Sequence, residues 1–146
     1  MTYPVLLTIH LFAALFFIGT VFFEVLMLEG IRKKIPREVM RQVEIAIGNR
    51  ARRIMPWVLL ALFSAGIGMA LTRYSGLLAA PLQSHFALML WLKIALATSV
   101  FGHFLTAMTL RRKGKLHSGH FRVIHLSVFT HMVAIVLLAK WMFYAG

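Results

Sequence analysis

The sequence predicts an all-α integral membrane protein, a four-helix bundle forming a single domain over residues 1–146. Three observations carry that expectation. The composition is 60% hydrophobic with a mean hydropathy of +0.82, a poor match for a soluble globule. Four apolar runs each approach the ~20 residues that a membrane helix needs. The basic residues cluster in alternate connections between those runs, as the positive-inside rule requires.

The first run, "PVLLTIHLFAALFFIGTVFFEVLML", predicts a helix over about 4–28. It lacks a basic leading segment and exceeds the apolar core of a signal peptide, so a cleavable leader is not expected. The second, "IMPWVLLALFSAGIGMAL", predicts a helix over about 54–71, with Pro56 in the first turn, where a missing N–H costs little. The third and fourth predict helices over about 85–110 and 122–145. Between the first two, Val39, Met40, Val43, Ala46 and Ile47 recur at helical spacing behind Pro36. That pattern predicts an amphipathic helix lying on the cytoplasmic leaflet in the connection between helices 1 and 2. No internal repeat is expected.

Net charge is +12, and its placement is informative. Arg32, Lys33, Lys34, Arg37, Arg41, Arg50, Arg52 and Arg53 crowd the first connection. Arg111, Arg112, Lys113, Lys115 and Arg122 crowd the third, whereas the second holds only Arg73. Both clusters flank apolar runs, so they are read as topology signals and lipid headgroup contacts rather than a nucleic-acid surface. Both termini are then periplasmic. The chain has no cysteine, which excludes disulfides, thiolate metal sites and iron–sulfur clusters.

Ionisable groups inside membrane helices are costly and tend to mark sites. At about 1.5 Å per residue from the cytoplasmic anchors, His103 lies about 11–12 Å deep, His131 about 13–14 Å and Glu24 about 10 Å. His125 is nearer the surface, at about 4–5 Å, while Lys93, Lys140 and His10 approach the outer face at about 27–31 Å. Lys93 and Lys140 suit snorkelling to the headgroups; the alternative is a cation for a ligand carboxylate. His103 and His131 share a depth on successive helices, the arrangement in which two imidazoles reach one haem iron or transition metal. The alternative for His103 is hydrogen bonding across helices. His125 and His131 are six residues apart and cannot both face one point, so at most one ligates. Glu24 suits a supporting acceptor for a histidine, or an ion pair with Arg52, Arg53 or Arg111. His10 lies too far from His103 in depth to share its iron, and so belongs to an outer site with Met69, Met142 or His85. "SAGIGMA" sets Ser64 with Gly68 and Gly66 with Ala70 at small-xxx-small spacing. Close helix packing is the first reading and a porphyrin face against the glycines the second. His117 and His120 are read as solvated in a basic loop.

These residues resemble the CopD-like and HemJ-like families of small four-helix membrane proteins associated with haem b, over nearly the whole length. The match falls on His10, Phe17 and Gly19 in "IHLFAALFFIG", and on Pro56 and Gly66 in "RRIMPWVLLALFSAG". In "LKIALATSVFGH" Lys93 precedes His103 by the family interval, and "FRVIHLSVFTHMVAIVLLAK" is similar to the last helix. HemJ proteins are implicated in oxidising protoporphyrinogen, so the resemblance implies haem or porphyrin chemistry. Three positions depart from the pattern: Phe17 replaces a tryptophan, His125–Leu126 an Asn–Glu pair, and Trp141 a proline. They remove polar groups such an oxidase would use, which points to a sister family that keeps the haem.

The combined expectation is a multi-pass protein of the bacterial inner membrane that binds one or two haem b. Its chemistry is electron transfer or porphyrin/quinol oxidation, and any enzyme activity would be protoporphyrinogen-oxidase-like. His103, His131, His10, His125 and Lys93 are the cofactor candidates, with Glu24 and Arg52 in support. Copper handling by His and Met ligands, and a cofactor-free structural subunit, are the alternatives. Expected partners are the lipid bilayer, a quinone or porphyrin, and a second copy in a homodimer.

Overall fold

A computed structural model describes residues 2–115 and 118–144; His117 lies outside the described residues. Those residues are all-helical, and four helices among them are long and apolar enough to cross a membrane. Among the described residues six α-helices occur in order: α1 Thr2–Phe22, α2 Glu29–Ile31, α3 Arg37–Arg73, α4 Ser75–Ala79, α5 His85–Arg112 and α6 Ser118–Trp141. Phe23–Leu28 joins α1 to α2 as a π segment, so the first span is continuous over Thr2–Ile31. The chain divides into two units, Met1–Ser75 and Gly76–Gly146.

The first unit pairs α1 with α3. Their contact forms at Ala13, Phe17 and Val21 of α1 and at Leu59 and Ala65 of α3, all buried. The small residues on α3 allow the approach. A Cβ on Gly66 would meet the His10 ring at 3.2 Å, and one on Gly68 would meet Leu6 at 3.0 Å. The space against these glycines is filled by protein, which is the close packing expected of small-xxx-small spacing.

The amphipathic stretch expected between helices 1 and 2 is helical, but it is continuous with the second span rather than separate from it. Its residues are the N-terminal part of α3, whose 37 residues span about 55 Å against about 30 Å of hydrocarbon. Pro36 precedes the helix and its carbonyl accepts from Met40 N–H at 3.0 Å. Met40 is only 3% exposed, Leu28 is also buried, and Arg32 pairs with Glu44 as well as Glu29. Met40 of the amphipathic stretch is thus buried and Glu44 is tied to Arg32, while Val39 and Ala46 stay exposed. Pro56 is consequently in the helix interior, not in a first turn. The carbonyl of Arg52 loses its usual partner there, at the junction of the basic and apolar segments, where water can serve it.

The second unit pairs α5 with α6. Ser84 caps α5, its Oγ accepting from Ala87 N–H at 3.1 Å. Gly114, with φ +66°, ends it: Lys115 N–H reaches Leu110 O at 2.9 Å and Gly114 N–H reaches Arg111 O at 3.0 Å. Those two bonds form a Schellman motif, which needs a left-handed residue at that point. α6 begins at Ser118, four residues before the expected start, so exposed His120 is helical rather than part of a loop. At the far end Lys140 lies 5.3 Å from the Tyr144 ring, beside exposed Trp141 and Phe143. A snorkelling lysine within an aromatic belt has that composition.

Candidate functional site

The polar residues of α5 and α6 meet in one cluster. Ser99 Oγ donates to His131 Nε2 at 3.1 Å, and Ser127 Oγ donates to His103 Nε2 at 3.0 Å. Each histidine also turns back onto its own helix. His103 Nδ1–H donates to the Ser99 carbonyl and His131 Nδ1–H to the Ser127 carbonyl, both at 2.7 Å. The four bonds close a ring: side chain of Ser99 to His131, His131 to backbone of Ser127, side chain of Ser127 to His103, His103 to backbone of Ser99. The imidazoles stand 5.3 Å apart between centroids, tilted by 58°.

The tautomers follow from the partners. A carbonyl only accepts, so Nδ1 carries the proton in both rings, and the neutral rings keep a lone pair on Nε2. Each serine hydroxyl spends its one hydrogen on that lone pair and retains acceptor capacity. A closed cycle of this kind strengthens its members by mutual polarisation.

The ring rests on a repeat in the sequence. "SVFGH" (99–103) and "SVFTH" (127–131) share serine, valine, phenylalanine and histidine at identical spacing. Serine and histidine four residues apart lie on one helix face, and the valines between them, Val100 and Val128, are buried at 2% and 8% exposure. Two antiparallel copies face each other, so each serine meets the other copy's histidine. The expectation of no internal repeat is corrected by this pair, and Ser99 and Ser127 are the site residues that composition and depth arguments passed over.

The structure thus brings His103 and His131 together, as their matched depth predicts. Two other candidates in the same unit are not members of the ring. Lys93 is ten residues, about 15 Å, along α5 from His103. His125 is half-buried on α6, six residues before His131. In the first unit His10 Nδ1–H donates to the Leu62 carbonyl at 2.9 Å and the ring lies over Gly66. That carbonyl fixes the same tautomer as in the other two histidines. Glu24 lies half-buried within the π segment, a backbone distortion that often accompanies functional positions. Arg52 is turned along α3 toward the Gly48 carbonyl and Asn49. Among the described residues no three His, Asp or Glu side chains gather as a metal site.

Outside the spans the electrostatics are local. Partial burial disfavours the Arg32 charge, but its hydrogen bond to Glu29 and the charges of Glu44 and Glu29 outweigh that and raise its pKa. At the opposite end of the first unit Tyr74 and Tyr3 place their hydroxyls 3.4 Å apart, with Arg73 5.1 Å over the Tyr3 ring. Burial, then the Tyr3 hydroxyl, push the Tyr74 phenol above its ordinary range.

Fold and site together define a multi-pass α-helical membrane protein with a hydrogen-bonded serine–histidine ring inside one helix pair. No family model, no curated protein and no solved structure matches the chain.

Proposed function

We propose that this is a haem b-binding protein of the bacterial inner membrane, with both termini periplasmic and with electron-transfer or porphyrin/quinol oxidoreductase chemistry, a sister of the CopD-like and HemJ-like proteins. One observation carries the reading. His10, His103 and His131 each commit Nδ1–H to a main-chain carbonyl, leaving Nε2 as the basic nitrogen, which is how histidines are held for metal ligation. Bound haem would supply a one-electron redox centre at such a nitrogen.

The fit differs between pairings. Imidazoles on opposite sides of one iron stand about 6 Å apart at metal–nitrogen bonds of about 2 Å. His103 and His131 are closer, at 5.3 Å, and Ser99 and Ser127 bridge the gap. A porphyrin has no room between α5 and α6, so His131 does not fit as the opposite ligand to His103 on one iron. The reading therefore takes a single histidine as ligand, His103 once Ser127 releases its Nε2 or His10 with its Nδ1–H held by the Leu62 carbonyl.

The test is pyridine haemochrome quantification and the Soret band of the purified protein and of its His10→Ala, His103→Ala and His131→Ala variants. Loss of haem in His10→Ala or His103→Ala supports the proposal. Porphyrin-free protein, or spectra unchanged in all three variants, refutes it. A second reading, a cofactor-free membrane subunit, is favoured by the ring itself, which satisfies both imidazoles with protein groups alone.

A further inference from the structure

Charge in the second unit is one-sided. Gly76–Gly146 carries seven Lys and Arg residues and no Asp or Glu. The four carboxylate side chains of the protein all belong to the first unit, and Glu29, Glu38 and Glu44 are spent there on Arg32 and Arg41. Most of the cations stand at the connection between α5 and α6. Lys93 and Lys140 stand toward the opposite end of the pair. Lys140 is exposed and lies against the Tyr144 ring. Lys93 is half-buried on α5, and its unit offers no carboxylate to neutralise it. A cation inside a membrane span must reach the interface or find an anion.

Lys93 borders an apolar groove. The pairing of Ser99 with His131 and of His103 with Ser127 sets an antiparallel register. Continued along the helices, that register places Leu96 opposite Ala134, Leu92 opposite Leu138 and Met89 opposite Trp141. These six residues line a groove of about 300 Å³ that has no polar surface. Met89, Lys93 and Leu96 follow one another at i, i+4 and i+7, so Lys93 shares a face of α5 with two of the lining residues. Side chains on a helix lean toward its N-terminus, which carries the Lys93 stem toward Met89, the end of the groove nearer the membrane surface. From Leu96 to Met89 the groove runs about 10 Å, within the ~15 Å of one leaflet.

A wall without donors or acceptors suits hydrocarbon, which needs only dispersion contacts, and the bilayer supplies it as acyl chain. The lysine decides the head group. A phosphocholine head brings its own ammonium and gains little from a second cation. A phosphate without that internal partner keeps a net negative charge for Lys93 to meet. We propose that the groove holds one acyl chain of an anionic phospholipid whose phosphate pairs with Lys93. The lipid supplies the counter-charge that the second unit lacks. The site draws on the groove and the lysine and not on haem, so it persists in haem-free protein.

The experiment uses the full chain in phosphatidylcholine vesicles, with Trp57→Phe and Trp91→Phe leaving Trp141 in the groove as the single emitter. Phosphatidylglycerol or phosphatidylcholine with brominated chains is added at rising mole fraction, and quenching of Trp141 reports the chain in contact with it. Phosphatidylglycerol should occupy the site about fivefold more strongly, the attraction of one lysine for an anionic head group. Lys93→Gln should abolish that preference, Lys93→Arg should keep it, and Lys140→Gln should leave it nearly unchanged. Equal quenching by the two lipids overturns the proposal, as does a preference that survives Lys93→Gln. A preference lost in Lys140→Gln instead overturns it too, by moving the anion to the exposed helix end. Should Lys93→Gln fail to fold, Ala134→Phe takes its place by filling the groove from α6. It should also abolish the preference, and a preference that survives it refutes the groove.

Discussion

Removing one serine hydroxyl should open the ring and loosen α5 from α6. Ser127→Ala deletes the donor to His103 Nε2 at 3.0 Å and leaves the other three bonds their partners. Interhelical hydrogen bonds in membranes are worth about 0.6 kcal/mol on average and about 1.7 at most. His103 also keeps a lone pair without its donor on a half-buried ring, which raises the cost. The expected loss is about 1–2 kcal/mol, or about five- to thirtyfold in the unfolding equilibrium. Ser99→Ala should behave alike, because the two copies are equivalent. In the double variant the second removal should cost less than it does alone, since the ring is already open. Reversible SDS titration of the purified chain, followed by circular dichroism, supplies all three values. Thr98→Ala is the control: its hydroxyl bonds only to the Ile94 carbonyl of its own helix, at 2.9 Å. Single serine variants within about 0.3 kcal/mol of the parent would refute the idea that the ring joins the helices. Nitrogen-15 spectra offer an independent check. His103 and His131 should both show a protonated Nδ1, and a protonated Nε2 in the neutral ring would contradict the geometry.

Three further outcomes are expected. In bacterial membranes, single cysteines introduced at Lys34 and Lys113 should react with an impermeant maleimide only from the cytoplasmic side, and one at Leu82 only from outside; the cysteine-free chain makes the readout clean, and the reverse pattern would invert the topology. Gly68→Ala should be close to neutral, because it meets the flexible end of Leu6. Gly66→Ala should be worse by about 1 kcal/mol, because it crowds a His10 ring held by the Leu62 carbonyl; the opposite order in SDS titration would reject that packing. Finally, Tyr74 should ionise above an ordinary tyrosine when absorbance near 295 nm is followed with pH. The native state favours the protonated phenol, so its stabilising contribution is complete below the unfolded pKa and is lost as pH rises through the native one. Tyr3→Phe should lower the Tyr74 pKa, and no change would remove the hydroxyl contact from the explanation.

The four spans were legible from the sequence because a bilayer imposes its thickness on any chain that crosses it. A run of apolar residues of the right length has few alternatives, and the placement of Lys and Arg orders the connections without reference to packing. Matched depth also sufficed to bring His103 and His131 together, since helix rise is constant and consecutive spans run antiparallel. The extension of α3 through Pro56 was not legible. It goes with the burial of Met40 and the pairing of Glu44 with Arg32, and an amphipathic stretch looks the same whether it faces lipid or protein. The ring was half-written in "SVFGH" and "SVFTH". Its meaning required the antiparallel register that sets each serine against the other copy's histidine. A hydrogen bond is decided by tenths of an ångström and by direction, and neither is carried by residue identity or spacing. Only the packed helices could determine that the imidazoles meet serine hydroxyls across the helix pair.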